Sequence, residues 1–302
     1  MLRAPTLPPA RPFGSVLTAM VTPFRKDGSL DLDAAVQLAT RLAQAGHDGV
    51  VLNGTTGESP TTTDDEKEQL LRAVLEAVGT RLRVVAGVGT NDTRQTVELA
   101  RAAEQAGAHG LLVVTPYYSK PPQQGLVAHF TAVADATGLP VMLYDIPGRA
   151  GVPIAVETLL RLAEHDRIVA VKDAKDDLHA AATAMAETDL AWYSGSDEMN
   201  LAHLTQGAAG VVSVIGHVAG EQLAEMVAAV DRGDLARAIA VRAQLIPVIN
   251  SIMRVTQGAI AVKAALQLLG HLPNRVVRLP LVAGGEDLVA TLSTALKEAG
   301  LA

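Results

Sequence analysis

The sequence predicts an α/β fold, a (β/α)8 TIM barrel with a C-terminal helical extension. Eight short apolar runs alternate with longer segments of helical period, and a glycine-ended motif recurs before three of these runs. Parallel strands joined by helices are buried on both faces, so continuous apolar runs are expected in place of an apolar/polar alternation. A doubly wound open sheet is the alternative, but eight short and regular βα units favour the closed barrel.

The predicted strands occupy the first 214 residues and are Val16–Val21, Val50–Asn53, Arg83–Ala86, Leu111–Val114, Val141–Tyr144, Ile168–Lys172, Ala191–Ser194 and Val211–Val214. Among the segments between them, Asp64–Val78 has apolar residues at helical spacing behind a Thr63/Glu66 capping box. The repeated motifs end in Gly49, Gly110 and Gly210, each directly before or at a predicted strand. A glycine there can close a helix in the left-handed conformation.

Three regions are predicted along the chain. Residues 1–13 contain four prolines and form an N-terminal arm, residues 14–230 form the barrel catalytic domain, and residues 231–302 form the C-terminal helical extension. Only helical patterns follow the eighth strand, at Glu221–Asp231, Leu235–Ile252, Ala259–Leu269 and Glu286–Ala299.

Composition narrows the function classes. The chain has 302 residues, 49% of them hydrophobic, which is enough for a large compact core. A formal net charge of -7 offers no basic field for nucleic acid, and the absence of cysteine excludes disulfides, thiolate metal sites and a cysteine nucleophile. Apolar runs fall well short of the roughly 20 residues of a membrane-spanning helix. We therefore expect a cytoplasmic enzyme without a membrane partner.

Polar side chains end several predicted strands, where the active sites of such barrels are built. Lys172 closes an apolar run, so its ammonium would be partly desolvated, which lowers the pKa and yields the unprotonated amine that attacks a ketone. Tyr144 would end the neighbouring strand and could place a phenol beside that amine for proton transfer. From position alone, Lys172 could instead be an ordinary surface lysine or form a salt bridge, and Tyr144 could only pack at the barrel mouth.

Two further polar positions have alternative interpretations. Thr55 and Thr56 lie between glycines and could present hydroxyls and amides to a carboxylate, although the same pattern is common in tight turns, and the Walker spacing is missing. Arg149 follows Pro-Gly and could hold a carboxylate with two hydrogen bonds, or could be a surface arginine. The sequence contains neither HExxH nor a close His/His/Glu group, so no catalytic or structural metal is expected.

Together these motifs resemble the dihydrodipicolinate synthase and N-acetylneuraminate lyase family of pyruvate-dependent lyases. The matching segments cover most of the chain and are Thr22–Phe24, Gly54–Glu58, Thr115–Tyr118, Tyr144–Arg149, Val171–Ala174, Ser194–Gly195, Gly210–Ser213 and Arg278–Pro280. The synthase branch is the nearer match, because the sialate lyases usually have Ser-Thr in place of Thr55-Thr56 and lack an arginine matching Arg149.

The resemblance implies a Schiff-base mechanism without a cofactor. Lys172 would form an imine with pyruvate, which Thr56 and the backbone at Val212 would hold, and Arg149 would meet the carboxylate of L-aspartate 4-semialdehyde. The reaction would belong to lysine and diaminopimelate biosynthesis. Two alternatives remain: another class I pyruvate aldolase, acting on a 2-keto-3-deoxy sugar acid or 4-hydroxy-2-oxoglutarate, and a non-catalytic sensor that binds a keto acid.

The same resemblance implies a proton relay of Tyr144, Thr55 and Tyr118, in which Tyr118 reaches into the site of a neighbouring subunit. A homo-oligomer is therefore expected, with a tetramer built as a dimer of dimers as the usual assembly.

The resemblance also implies a feedback site for lysine near the subunit interface. Gln95 stands where lysine-sensitive members have glutamate, and Pro60 and Lys67 also differ, whereas the matching positions are Ser59, Asn91 and Tyr117. Loss of the carboxylate removes a charge-assisted hydrogen bond of about 1.5–3 kcal/mol. Weak or absent inhibition by lysine is predicted.

Overall fold

The computed structural model describes residues 9–302, and eight parallel strands in it close into a barrel in sequence order. β1 pairs with both β2 and β8, which completes the ring. The strands are β1 Val16–Ala19, β2 Gly49–Leu52, β3 Arg83–Gly87, β4 Gly110–Val114, β5 Val141–Asp145, β6 Ile168–Asp173, β7 Ala191–Ser194 and β8 Gly210–Ser213. The predicted closed barrel is confirmed, and the open-sheet alternative is wrong.

Helices follow the strands and surround the barrel. They are α1 Leu32–Gln44, α2 Asp64–Val78, α3 Thr93–Ala106, α4 Gln123–Asp135, α5 Pro147–Ala150, α6 Val156–Leu162, α7 Leu178–Glu187, α8 Asn200–Thr205, α9 Gly216–Asp231, α10 Leu235–Met253, α11 Gly258–Leu268 and α12 Glu286–Glu298. The predicted capping box of α2 is confirmed, because the Thr63 hydroxyl accepts from Glu66 N at 3.2 Å and the Glu66 carboxylate accepts from Thr63 N at 2.9 Å.

Two apolar clusters form the core, one between strands and helices and one inside the barrel. The inner cluster contains residues from all eight strands, among them Leu112, Tyr144 and Val212. At its N-terminal end Phe13 is fully buried, and the Tyr193 hydroxyl donates to Gly14 O at 2.9 Å. The last residue of the predicted N-terminal arm is therefore packed into the barrel, while residues 1–8 of that arm lie outside the described residues.

The C-terminal extension consists of α10, α11 and α12, and α10 packs against both α9 and α12. Within residues 9–302, α10 is the one helix long and apolar enough to cross a membrane by length and composition. That criterion uses length and composition alone, and in the structure this helix packs against α9 and α12.

Candidate active site

Lys172 and Tyr144 lie side by side within the barrel. The register of β5 and β6 pairs Tyr144 with Lys172, so both side chains point to the same face of the sheet. Both residues are buried, with exposed fractions of 4%, and the Lys172 Nζ lies 4.2 Å from the centroid of the Tyr144 ring. The amine therefore faces neither bulk solvent nor the far side of the barrel wall, and the structure brings the two residues together as the sequence predicted.

Burial sets the protonation of both groups. It lowers the pKa of Lys172 to about 8, while the Asp197 carboxylate opposes this shift and the Arg149 guanidinium adds to it. Burial raises the pKa of Tyr144 to about 12, against the opposing effects of Arg149 and of a hydrogen bond with the Thr55 side chain. Near neutral pH the lysine can therefore lose its proton at small cost, whereas the phenol keeps its proton and can donate it.

The two predicted threonines lie on the loop that follows β2. The Thr55 side chain hydrogen-bonds to Tyr144, and Thr56 is buried with 7% exposed. The Thr22 hydroxyl donates to Gly57 O at 2.6 Å, which holds the loop against the end of β1. The segment Gly54–Gly57 can therefore form a tight turn and also supply polar groups to the site.

A cavity of about 340 Å³ opens beside these groups at the C-terminal ends of the strands. Four of the predicted site residues line it: Thr55, Tyr118, Tyr144 and Arg149. Lys172, Thr56 and Val212 do not line it, although Lys172 contacts Tyr144, which does. Val212 lies on β8 in the inner core and is fully buried. The volume suits a small organic substrate.

Tyr118 differs from the other predicted residues because it is 89% exposed. Its φ of 71° lies in the left-handed region, which is uncommon for a bulky residue, and such strained positions cluster at active sites and ligand-binding segments. Among residues 9–302, its hydroxyl forms no hydrogen bond with Thr55 or Tyr144. The fold of one chain therefore leaves its predicted place in the relay incomplete.

Asp197 is a candidate site residue that sequence reasoning did not single out. Its buried carboxylate raises the pKa of Lys172, and it ties the loop after β7 to the end of β8. The four groups that donate to it, at 2.5 to 3.0 Å, are the Ser213 hydroxyl, the backbone N–H groups of Val214 and Ile215, and the Asn200 amide. The available signal was an acidic residue three positions after the end of a predicted strand.

Gly195 gives Lys172 its room. A Cβ atom at this position would lie 2.9 Å from the Lys172 Cγ, closer than Cβ atoms approach other atoms in folded proteins, and 3.0 Å from Asp173 O, which is also unusually tight. In the sequence this glycine is visible only as part of the Ser194–Gly195 motif, whereas in the structure the lysine stem occupies the space that a side chain would need.

Comparisons with known proteins agree with the geometry. The model of the Dihydrodipicolinate synthetase family matches residues 12–299. The 4-hydroxy-tetrahydrodipicolinate synthase of Kineococcus radiotolerans is 63% identical over 294 residues, covering 97% of this chain and 96% of that protein. Synthase 2 of Streptomyces coelicolor is 62% identical, covering 92% of this chain and 93% of its own length.

Solved structures give the same result. Dihydrodipicolinate synthase from Cyanidioschyzon merolae, crystallised with lysine bound, has a TM-score of 0.94 and 41% identity, covering 97% of this chain and all of that one. The Thermotoga maritima synthase has a TM-score of 0.92 and 38% identity, covering 96% and 99%. The buried amine in the barrel, together with the similarity to these synthases, defines the protein as a Schiff-base-forming lyase. The chain belongs to the dihydrodipicolinate synthetase family.

Proposed function

We propose that this chain uses Lys172 to condense pyruvate with L-aspartate 4-semialdehyde in lysine and diaminopimelate biosynthesis. The reaction is the one named in its curated relatives, 4-hydroxy-tetrahydrodipicolinate synthesis. The observation that carries the assignment of Lys172 is its buried amine, 4.2 Å from the ring centroid of Tyr144. The chemistry needs no cofactor, because the lysine amine itself activates the keto acid.

The first half of the reaction makes a carbon nucleophile. The unprotonated Nζ of Lys172 attacks the ketone carbon of pyruvate, the carbonyl oxygen leaves as water, and a protonated imine remains. Loss of a proton from the pyruvate methyl carbon then gives the enamine. Thr56 and the backbone at Val212 hold the pyruvate carboxylate during these steps.

The second half forms the product. The enamine carbon attacks the aldehyde carbon of the semialdehyde, and the aldehyde oxygen takes up a proton to become a hydroxyl. The amine of the semialdehyde then adds to the imine carbon, the bond to Nζ breaks, and the lysine leaves with the displaced proton. Arg149 pairs with the carboxylate of the semialdehyde, since a guanidinium can bind a carboxylate with two hydrogen bonds.

Tyr144, Thr55 and Tyr118 move the protons. The Tyr144 phenol stays protonated near neutral pH and hydrogen-bonds to Thr55, which supports the first two members of this relay. Tyr118 is exposed in one chain, which supports its delivery to the site of a second subunit in a cytoplasmic homo-oligomer. A tetramer built as a dimer of dimers places two such pairs together.

The test separates this reaction from that of another class I pyruvate aldolase. Purified protein is assayed with pyruvate and L-aspartate 4-semialdehyde, and Arg149→Ala is compared with the unchanged enzyme at matched pyruvate occupancy. We expect kcat/KM for the semialdehyde to fall about 100-fold, because a charge-assisted bidentate contact is lost. Unchanged turnover in Arg149→Ala, or faster turnover with a sugar-derived aldehyde, contradicts the proposal.

A further inference from the structure

We propose that Glu58, held by Lys263 and Arg278 of the C-terminal extension, is a positioning residue for the Thr55-Thr56 loop. This inference rests on the proposed function, because it assigns a supporting role to the loop of the same site. It makes the extension a structural part of the catalytic centre, although its own side chains do not line the cavity.

Glu58 occupies an unusual position directly after that loop. Its side chain is only 1% exposed, and its backbone has φ 55° and ψ 38°, the left-handed conformation that a non-glycine residue adopts at a cost. Glu58 N donates to Thr55 O at 3.2 Å, and Ser59 N donates to Gly54 O at 3.3 Å. The conformation of Glu58 and that of the threonine loop are therefore coupled through the backbone.

Both carboxylate oxygens of Glu58 are bound by the extension. Oε1 accepts from Lys263 Nζ at 2.5 Å, and Oε2 accepts from Arg278 N at 2.9 Å. Lys263 is 1% exposed, also donates to Val276 O at 2.8 Å, and lies 4.3 Å from the centroid of the Phe24 ring. Each carboxylate oxygen therefore has its own donor from the extension, and the two donors together fix the orientation of the carboxylate.

The Arg278 side chain also links the extension to the loops around the site. Its guanidinium lies 4.2 Å from the centroid of the Phe24 ring and donates to Gly28 O at 2.8 and 2.9 Å. It also donates to Thr61 O at 2.7 Å and forms a bidentate pair with Glu66. Arg278 thus joins the loop after β1, the loop after β2 and the first turn of α2, so the threonine loop has little freedom to move.

The physical consequence concerns the distance between Thr55 and Tyr144. A displacement of about 1 Å in a catalytic contact can lower a rate about 100-fold. Glu58 touches neither substrate nor the reacting atoms in this scheme, so its effect must pass through the loop, on kcat through Thr55 and on the KM for pyruvate through Thr56. Loss of the Glu58 anchor should therefore change kcat and the KM for pyruvate, and not only the thermal stability of the protein.

The decisive variant is Glu58→Gln, which keeps the size of the side chain. An amide offers one acceptor oxygen to the two donors, so either Lys263 Nζ or Arg278 N faces an NH2 group. We expect kcat to fall about 10-fold, with a higher KM for pyruvate, in full-length enzyme assayed well below its Tm. The matched control is Arg275→Gln, because among residues 9–302 the Arg275 side chain donates only to groups of the extension, Gly284 O, Gln267 and Glu286. It should lower Tm and leave kcat unchanged.

A second measurement shows whether Glu58 acts through Thr55. In the Thr55→Val background, Glu58→Gln should change kcat by less than about twofold, because the hydroxyl whose position sets kcat is already gone. An equal fold-change in both backgrounds overturns the proposal. If Glu58→Gln does not fold, the pair Glu58→Gln/Lys263→Met removes both charges together and is expected to fold with the same kinetic loss.

The outcomes also separate this inference from the proposed function. If pyruvate and a hydride reductant do not label Lys172 in the unsubstituted enzyme, the proposed function itself is refuted. Labelling of the unchanged enzyme together with full kcat and KM in Glu58→Gln refutes only the positioning role, and leaves the buried pair as a contribution to stability alone.

Discussion

The reaction of Lys172 with pyruvate should depend on pH with a midpoint near 8. Burial lowers the pKa of this amine to about 8 from the ordinary 10.5. Since only the unprotonated amine attacks the ketone, the rate rises as pH increases through the pKa and then levels off. At pH 7 about one Lys172 in ten is unprotonated, against about one in three thousand for an ordinary lysine, a gain of ~300-fold.

Two substitutions should move this midpoint in opposite directions. The Arg149 guanidinium lowers the pKa of Lys172, so Arg149→Met should raise the midpoint. The Asp197 carboxylate raises the same pKa, so Asp197→Asn should lower it. Burial, the largest cause of the shift, is unchanged in both variants, and both midpoints should therefore stay well below the value for an exposed lysine.

The assay is single-turnover trapping with pyruvate and sodium cyanoborohydride, followed by intact mass spectrometry over roughly pH 6 to 10. The semialdehyde is left out, so the role of Arg149 in binding the second substrate does not affect the result. A labelling rate that does not vary with pH, or a midpoint above about 10, would refute the argument that burial activates the amine.

Three further predictions concern single residues. Tyr144→Phe should lower kcat about 100-fold to 10,000-fold in steady-state assays, because it removes the proton donor beside Lys172, and an active Tyr144→Phe enzyme would exclude the relay. Gly195→Ala should lower the free energy of unfolding in denaturant by about 1–3 kcal/mol and slow the trapping of Lys172 by pyruvate, because the new methyl group would meet the lysine stem. A trapping rate equal to that of the unsubstituted enzyme would contradict this packing argument. Lysine should inhibit weakly or not at all in initial-rate assays, Gln95→Glu should strengthen inhibition, and an inhibition constant in the low micromolar range for the unchanged enzyme would contradict the assignment.

The strands could be predicted because each is a continuous apolar run between polar segments, and Ala191–Ser194 has the predicted bounds. The first strand ends at Ala19 and not at Val21 as predicted. The physical reason is that Val21 N donates to His217 Nε2 at 3.0 Å, so its backbone no longer pairs with a neighbouring strand. Such a side-chain partner, 196 residues away, leaves no local trace in the sequence.

Helix boundaries show a similar limit. α9 begins at Gly216, five residues before the predicted Glu221, and Ala219 within it has the non-helical values φ -133° and ψ 34°. The regular apolar period starts only after this kink, so periodicity identifies the second part of the helix alone.

The site residues that could be predicted are those at the ends of adjacent strands. Lys172 and Tyr144 end adjacent strands, and parallel strands of a barrel deliver such ends to one rim. The Glu58–Lys263 pair joins residues 205 apart, and the Asp197 carboxylate binds groups on another strand end, so neither contact is encoded in spacing or periodicity. These supporting residues become visible only once the chain is folded.

The most direct test of the whole account is to identify the lysine that carries the reduced pyruvate adduct. After borohydride reduction in the presence of pyruvate, tandem mass spectrometry of the protease digest should find the added mass on Lys172 and on no other lysine, and Lys172→Met should abolish it. An adduct on Lys175, Lys263 or any other amine, or a labelled Lys172→Met protein, would contradict the claim that this buried amine carries the chemistry.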